Sequence, residues 1–171
     1  TPILSDEKIG GLSAPPGKVA IEMSVYGDRA KALFERGYNC SQSVVLAFCE
    51  PLGLDMETMA RLASSFGGGM GRLREVCGAV SGMLMIVGLA KGYSSPDDRE
   101  GKIQQYARVQ ELAAAFQKDH GSIICRDLLG LSVHSEAPIP EERTPEYYQS
   151  RPCGELIRHA AELTARELGL S

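Results

Sequence analysis

Phe66-Gly67-Gly68-Gly69-Met70-Gly71-Arg72-Leu73-Arg74-Glu75-Val76-Cys77-Gly78-Ala79-Val80-Ser81-Gly82 is the stretch around which the rest of the chain is organised. Four glycines in five positions, 67 to 71, make a loop that side chains cannot fill. Glycine is costly inside regular structure and useful where backbone takes positive φ or approaches something closely. The run that follows carries no charge between Glu75 and Lys91. It predicts a buried central helix over about residues 75–90. The small residues Gly78, Ala79, Ser81 and Gly82 at its start predict first turns lying tight against neighbours.

Outward from that helix the pattern is helical throughout. Upstream, Ile21, Val25, Ala32 and Leu33 mark a helix over 20–36 that Gly37 ends. Asn39 with Gln42 has the form of a capping box opening a helix over 40–49, and Pro51 is expected to stop it. Asp55 is the next N-cap, for a helix over 56–66. Downstream, Ser95-Pro96-Asp97-Asp98 reads as the start of the longest helix, running to about Lys118. Ile103, Tyr106, Val109, Leu112, Ala113 and Phe116 mark its expected apolar side. Ser122 opens a short helix, residues 132–151 read as an ordered loop, and Pro152 begins a last helix reaching about Leu168. No segment alternates as a strand does. The expectation is an all-α, single-domain bundle of six or seven helices over 20–171, preceded by a flexible Pro/Gly-rich arm over 1–19.

The chain has 171 residues, enough for one well-buried core. With 18 basic against 22 acidic residues its net charge is −4, and no basic stripe breaks that balance, which argues against a nucleic-acid partner. The absence of Trp and the 6% aromatic content leave few stacking platforms. The uncharged run over 76–90 is too short to span a bilayer, so no direct membrane span is expected. No secretory signal is visible, and a cytoplasmic location is the expectation.

Five cysteines stand at Cys40, Cys49, Cys77, Cys125 and Cys153. None makes a CxxC pair and there is no CxxCH, so local zinc-finger, thioredoxin and c-type haem signatures are absent. Placed on the predicted helices, Cys40, Cys77, Cys125 and Cys153 each fall in a first turn, whereas Cys49 ends a helix. The unpaired N–H groups and dipole of a helix N-terminus favour a thiolate over a thiol. A thiolate is both the nucleophile of disulfide exchange and a metal-ligating form. Arg72 and Arg74 precede Cys77, Arg126 follows Cys125 and Arg151 precedes Cys153. These cations would tune the thiols or hold an anion. Gly67, Gly68, Gly69, Gly71, Gly78 and Gly82 are expected to give the backbone close access to the site. The blander reading is that each cysteine packs as a small hydrophobe, and it fits Cys49 best. His120, one turn before Cys125, is a weaker candidate base or ligand; His134 and His159 have nothing to recommend them.

Gly37-Tyr38-Asn39-Cys40-Ser41-Gln42-Ser43-Val44, the Phe66–Gly71 block and Cys77-Gly78-Ala79-Val80-Ser81-Gly82, with Cys125 and Cys153 beyond, resemble a four-cysteine redox-active protein family. That family is known by its C, CGAxxG, C, C pattern. The likeness covers roughly residues 25 to 155 and makes Cys40, Cys77, Cys125 and Cys153 the four family cysteines, with Cys49 an addition. It implies a prokaryotic protein whose relatives are often encoded near transporter genes, so a redox or membrane-transporter protein is an implied partner. A related domain occurs in split-Soret cytochromes, but their haem-holding motifs are missing from this chain.

Three functions remain open at this level. The first is thiol–disulfide or electron-transfer chemistry at the four cysteines, with a cycling pair that includes Cys77. The second is a metal centre, an Fe–S cluster or zinc, held by Cys40, Cys77, Cys125 and Cys153. The third is a non-catalytic helical interaction protein whose cysteines only pack, with a homodimer as one form of it.

Overall fold

The computed structural model describes residues 24–170; the arm expected over 1–19 and the beginning of the first predicted helix lie outside the described residues. The helices are α1 (Val25–Glu35), α2 (Cys40–Ala47), α3 (Cys49–Leu52), α4 (Met56–Ala63), α5 (Gly78–Lys91), α6 (Arg99–His120), α7 (Cys125–Leu128), α8 (Pro145–Ser150) and α9 (Cys153–Leu168). A 3₁₀ turn, Ser64–Phe66, and the glycine loop lie between α4 and α5. The all-α expectation holds, with nine α-helices among the described residues in place of six or seven.

The two additional helices have readable causes. Pro51 does not end a helix but sits in the first turn of α3, where its missing N–H would have had no partner. Thr144 caps α8 through the Tyr147 amide, with Pro145 following at the first helical position. Part of the loop expected over 132–151 is therefore helical.

The central helix begins at Gly78 rather than near Glu75. The three preceding residues are drawn into an extended pairing with the segment before α7. Val76 bridges Ile124 in antiparallel sense, the Cys77 amide donates to the Ile123 carbonyl at 2.8 Å, and the Cys125 amide donates to the Glu75 carbonyl at 2.6 Å. This pairing fixes the starts of α5 and α7 side by side. In α6 the first turn also moves: Asp98 is the N-cap, accepting from the Gly101 amide at 2.8 Å. Ile103 and Tyr106, expected on its apolar side, are exposed, and burial is confined to Gln105, Leu112 and Phe116. Only the later part of α6 reaches the core.

Helix α5 packs between α2 and α9, and α9 lies along α1 as well. Phe34, Phe48, Met83, Ile86, Phe116 and Ile157 fill the centre of one continuous cluster. Full burial of such side chains is worth about 1.5–3 kcal/mol each. The expected close approach at the start of α5 is present. A methyl group on Gly78 would lie 2.7 Å from the Phe66 carbonyl oxygen and 3.0 Å from Cβ of Cys40, and one on Gly82 would lie 2.8 Å from the Ser41 carbonyl oxygen. The first turns of α2 and α5 are thereby held backbone to backbone. Among the described residues no helix is long and apolar enough to cross a membrane.

The start of α2 is set by the capping box read from the sequence. Asn39 accepts from the Gln42 amide at 2.9 Å while the Gln42 side chain accepts from the Asn39 amide at 3.1 Å. The Asn39 side-chain amide also donates to the Ser64 carbonyl at 3.1 Å, tying α2 to the segment before the glycine loop. Asn39→Ala is expected to cost about 1–2 kcal/mol, mostly from the lost cap. Chemical denaturation checks this: a lower midpoint at unchanged slope is the predicted result.

Candidate functional site

The glycine loop takes a form that its composition only hints at. Five consecutive residues, Gly68 to Arg72, have φ between +61° and +69°, and Arg74 follows at +58°. They wind a left-handed turn closed by the Gly71 amide on the Gly67 carbonyl at 2.9 Å and the Glu75 amide on the Gly69 carbonyl at 3.0 Å. Met70, Arg72 and Arg74 have Cβ atoms and hold this conformation at a cost on the order of 1 kcal/mol or more each. Such strain persists only where the surroundings enforce it, and here they are a strap formed by the chain after α7. The Arg72 guanidinium donates to the Ala137 carbonyl at 2.8 Å, the Glu136 amide donates to the Arg72 carbonyl at 3.0 Å, and Arg74 pairs with the Glu136 carboxylate, Nε to oxygen at 2.6 Å.

Between this loop, the strap and the starts of α2, α5, α7 and α9 lies a cavity of about 190 Å³. Cys40, Cys77, Cys125 and Cys153 all line it; Cys49 does not. Each of the four stands at a helix start: Cys77 is the N-cap of α5, and the others are the first residues of α2, α7 and α9. All five thiols are free.

The four are not equivalent. The neighbouring Cys153 thiol does most to hold Cys40 down at about 6. Burial opposes it; the Gly68 amide, the Arg143 guanidinium and the Cys40 amide add to it. The Cys40 sulfur in turn keeps the proton on Cys153, whose thiol is pushed up by it and by burial. Burial first, then the nearby Cys40, push Cys77 up to about 12, despite the Ala79 and Val80 amides. Burial likewise raises Cys125, against a hydrogen bond from Arg74 Nη1 at 3.6 Å. The arrangement is one thiolate beside one thiol, with two further protonated sulfurs in the same cavity. The anionic sulfur is Cys40, where the sequence had directed attention to Cys77.

Among the predicted cations, Arg72, Arg74 and Arg151 line the cavity. Arg74 is only 4% exposed. Arg151 is paired with Glu141 and lies over the Tyr147 ring at 5.4 Å. Arg126 is outside the lining; it braces the loop from behind, donating to the Arg74 carbonyl at 3.3 Å and pairing with Glu75 at 3.2 Å. Of the glycines, Gly67, Gly68 and Gly78 line the cavity, while Gly69, Gly71 and Gly82 shape it from outside. His120 and His159 do not line it; they hydrogen-bond to each other at 2.7 Å and pack on Phe116.

Sequence reading missed Arg143, Glu136 and Glu141. Arg143 stands over the rings of Phe34 at 4.5 Å and Tyr147 at 4.9 Å and lines the cavity. The one available signal was the Thr144-Pro145 helix start, which would have placed Arg143 just before a fixed point.

Thiolates from several helices can meet around a metal, so this site was the candidate centre for an Fe–S cluster or zinc. Among the described residues no group of three or more His, Cys, Asp or Glu side chains is arranged to hold a metal ion. The residues as placed do not fit a four-thiolate centre.

Residues 38–167 match the family described as "Putative redox-active protein (C_GCAxxG_C_C)". The chain belongs to this family. Its own run over 77–82 reads Cys-Gly-Ala-Val-Ser-Gly, with cysteine and glycine in the opposite order to that of the label. Comparisons with curated proteins and with solved structures give no match. The family's redox description agrees with four free thiols around one cavity and leaves their chemistry to the geometry.

Proposed function

We propose that this redox-active family member is a dithiol that exchanges with disulfides, with Cys40 as attacking thiol and Cys153 as resolving thiol. The observation that carries the reading is that the two sulfurs share one cavity at the starts of α2 and α9, each shifting the titration of the other. The Cys40 thiolate attacks one sulfur of a substrate disulfide, forms a mixed disulfide and expels the other half as a thiolate. Cys153 then loses its proton to the departing thiolate or to solvent and attacks the Cys40 sulfur. The mixed disulfide breaks, a Cys40–Cys153 disulfide forms, and the second half leaves. Two electrons pass from the cysteines to the substrate, and a separate dithiol reductant restores the starting state.

The electrostatics suit the order of events. While Cys40 is anionic, its charge holds the proton on Cys153. Once Cys40 is in a mixed disulfide the negative charge is gone and the chief cause of the raised Cys153 pKa goes with it. The resolving thiol is thus released by the first step. At pH 7 a thiol titrating at about 6 is about 90% thiolate, against about 1% for an ordinary buried-free thiol near 9. Lower basicity gives back a factor of about 16–32, so the net gain in rate is about three- to sixfold. Placement beside Cys153, more than acidity, makes the pair a redox centre.

Cys153→Ser tests the pairing. With no resolving thiol, the Cys40 mixed disulfide is expected to accumulate to near one equivalent on mixing with an excess of small disulfide. Intact-mass analysis and peptide mapping read it. Accumulation at Cys77 or Cys125 instead, or full turnover in the variant, would overturn the assignment.

A further inference from the structure

We infer that the cavity takes a small disulfide bearing a carboxylate, and that Arg143 receives its negative charge. The inference rests on the thiol-exchange reading and adds the substrate class to it. Three observations carry it. The first is access: Cys77, Cys125 and Cys153 are buried and Cys40 is only part-exposed, so the sulfurs are recessed from any disulfide on a protein surface. The cavity, about 190 Å³, is below the ~300–1,000 Å³ typical of drug-sized ligands, which sets the scale of what enters.

The second is charge. Four arginines line the cavity and are incompletely neutralised. Arg72 and Arg74 share the single Glu136 carboxylate, and Arg151 is paired with Glu141. Arg143 has no carboxylate partner among the described residues; it donates to the Phe34 and Tyr38 carbonyls at 3.5 and 3.4 Å. Even with Cys40 ionised, the surroundings retain a positive excess, which suits one further anion. The third is the apolar part of the lining: Leu128, Leu129 and Leu156 give an apolar surface to the methylenes between a carboxylate and a disulfide.

In the step itself, the Cys40 thiolate attacks the nearer sulfur and the carboxylate-bearing half departs as a thiolate. Cys153 displaces the remaining half, leaving the protein disulfide and the two halves of the substrate as thiols.

The test uses the reduced full chain and three disulfides of similar size: dithiodipropionate, bis(2-hydroxyethyl) disulfide and cystamine. They are dianionic, neutral and dicationic. Each rate is divided by the rate of the same disulfide with a free small thiol. The anionic probe is expected to exceed the cationic one by at least about tenfold, with the gap narrowing as salt is added. Arg143→Gln is expected to cut the anionic-to-neutral rate ratio about tenfold; the ratio cancels any change in Cys40 reactivity. Arg143→Lys, which keeps the charge but loses the ring stacking, should give a ratio between those of wild type and Arg143→Gln.

Equal normalised rates for the three probes, with Cys40 reacting, would overturn the carboxylate preference and leave the thiol reading standing. A ratio unmoved in Arg143→Gln would overturn the role of Arg143. Suberate, in which carbon replaces the disulfide sulfurs, separates the remaining case by calorimetry. Arg143-dependent suberate binding with no exchange of any disulfide would overturn the redox reading and retain the anion site. No suberate binding and no exchange would overturn both.

Discussion

In the Cys153→Ser background, Cys40→Ser is expected to lower the rate of mixed-disulfide formation at pH 7 by at least about 100-fold while leaving the helical fold intact. That background is needed because loss of the Cys40 charge also lowers Cys153 and would free it to attack instead; the size follows from the sulfurs that remain. Cys77, held at about 12, is thiolate in only about one molecule in 10⁵ at that pH. Its greater basicity recovers a factor of about 250–1,000 in nucleophilicity, which leaves it about 100–400 times slower than Cys40 before its burial is counted. Cys77→Ser should therefore have a far smaller effect, acting through packing at the start of α5. Stopped-flow exchange with a small neutral disulfide measures both variants. In that background, a Cys40→Ser protein within tenfold of its parent would remove Cys40 from the attacking role.

The second large effect concerns the loop. A methyl group on Gly69 would lie 2.7 Å from Cβ of Cys125 and 2.7 Å from the Glu75 backbone nitrogen, at φ +67°. Gly69→Ala combines the left-handed penalty, about 1–2 kcal/mol, with overpacking of about 1–3 kcal/mol. The expected loss is about 2–5 kcal/mol, or roughly 5–20 °C in melting temperature for a chain of this size. Gly53→Ala is the control, because Gly53 has nearly the same φ, +63°, and no atom within 4 Å of the added methyl. It should lose only the conformational part. Equal melting temperatures for the two variants would mean that the loop yields freely, and that the Cys125 position is not fixed by it.

Much of this arrangement was legible in local patterns. Asn39 and Gln42 announce the start of α2 because a capping box needs only neighbouring residues, and that places Cys40 at a helix N-terminus. Gly78 and Gly82 announce a close approach because only a missing side chain permits one. The meeting of Cys40 with Cys153 was not legible, since it depends on how α2 and α9 pack around α5, and no local rule encodes that register. The choice of Cys40 over Cys77 as the anionic sulfur depends on the same packing. The first stands near Arg143 and the Cys153 thiol, whereas the second is enclosed by apolar core. Arg143 escaped notice because the strap that delivers it has no periodicity. Glu75 and Val76 were assigned to a helix on apolarity alone, and tertiary pairing with Ile124 overrode that preference. Pro51 reads as a stop and Pro145 as part of a loop, although proline is also favoured in the first turn of a helix.

The lowered Cys40 pKa also ties stability to pH. Its folded value, about 6, lies below the ordinary 9.0, so ionisation stabilises the fold increasingly as pH rises from 6 to 9; that contribution is lost as pH falls through 6. Cys77, raised from 9.0 to about 12, acts with the opposite sign. Its contribution is complete below 9 and is lost as pH rises through 12.

The central claim is that one of the four cavity sulfurs is a thiolate near neutrality and that it is Cys40. Alkylation of the reduced wild-type protein by a neutral reagent, followed residue by residue with mass spectrometry across pH, tests it most directly. The account predicts that the first label goes to Cys40, with a rate that rises through a midpoint near pH 6 and levels above it, while Cys77, Cys125 and Cys153 stay slow up to pH 8 for as long as Cys40 is unlabelled. Fastest labelling at Cys77, or a Cys40 rate still climbing at pH 9, would contradict it.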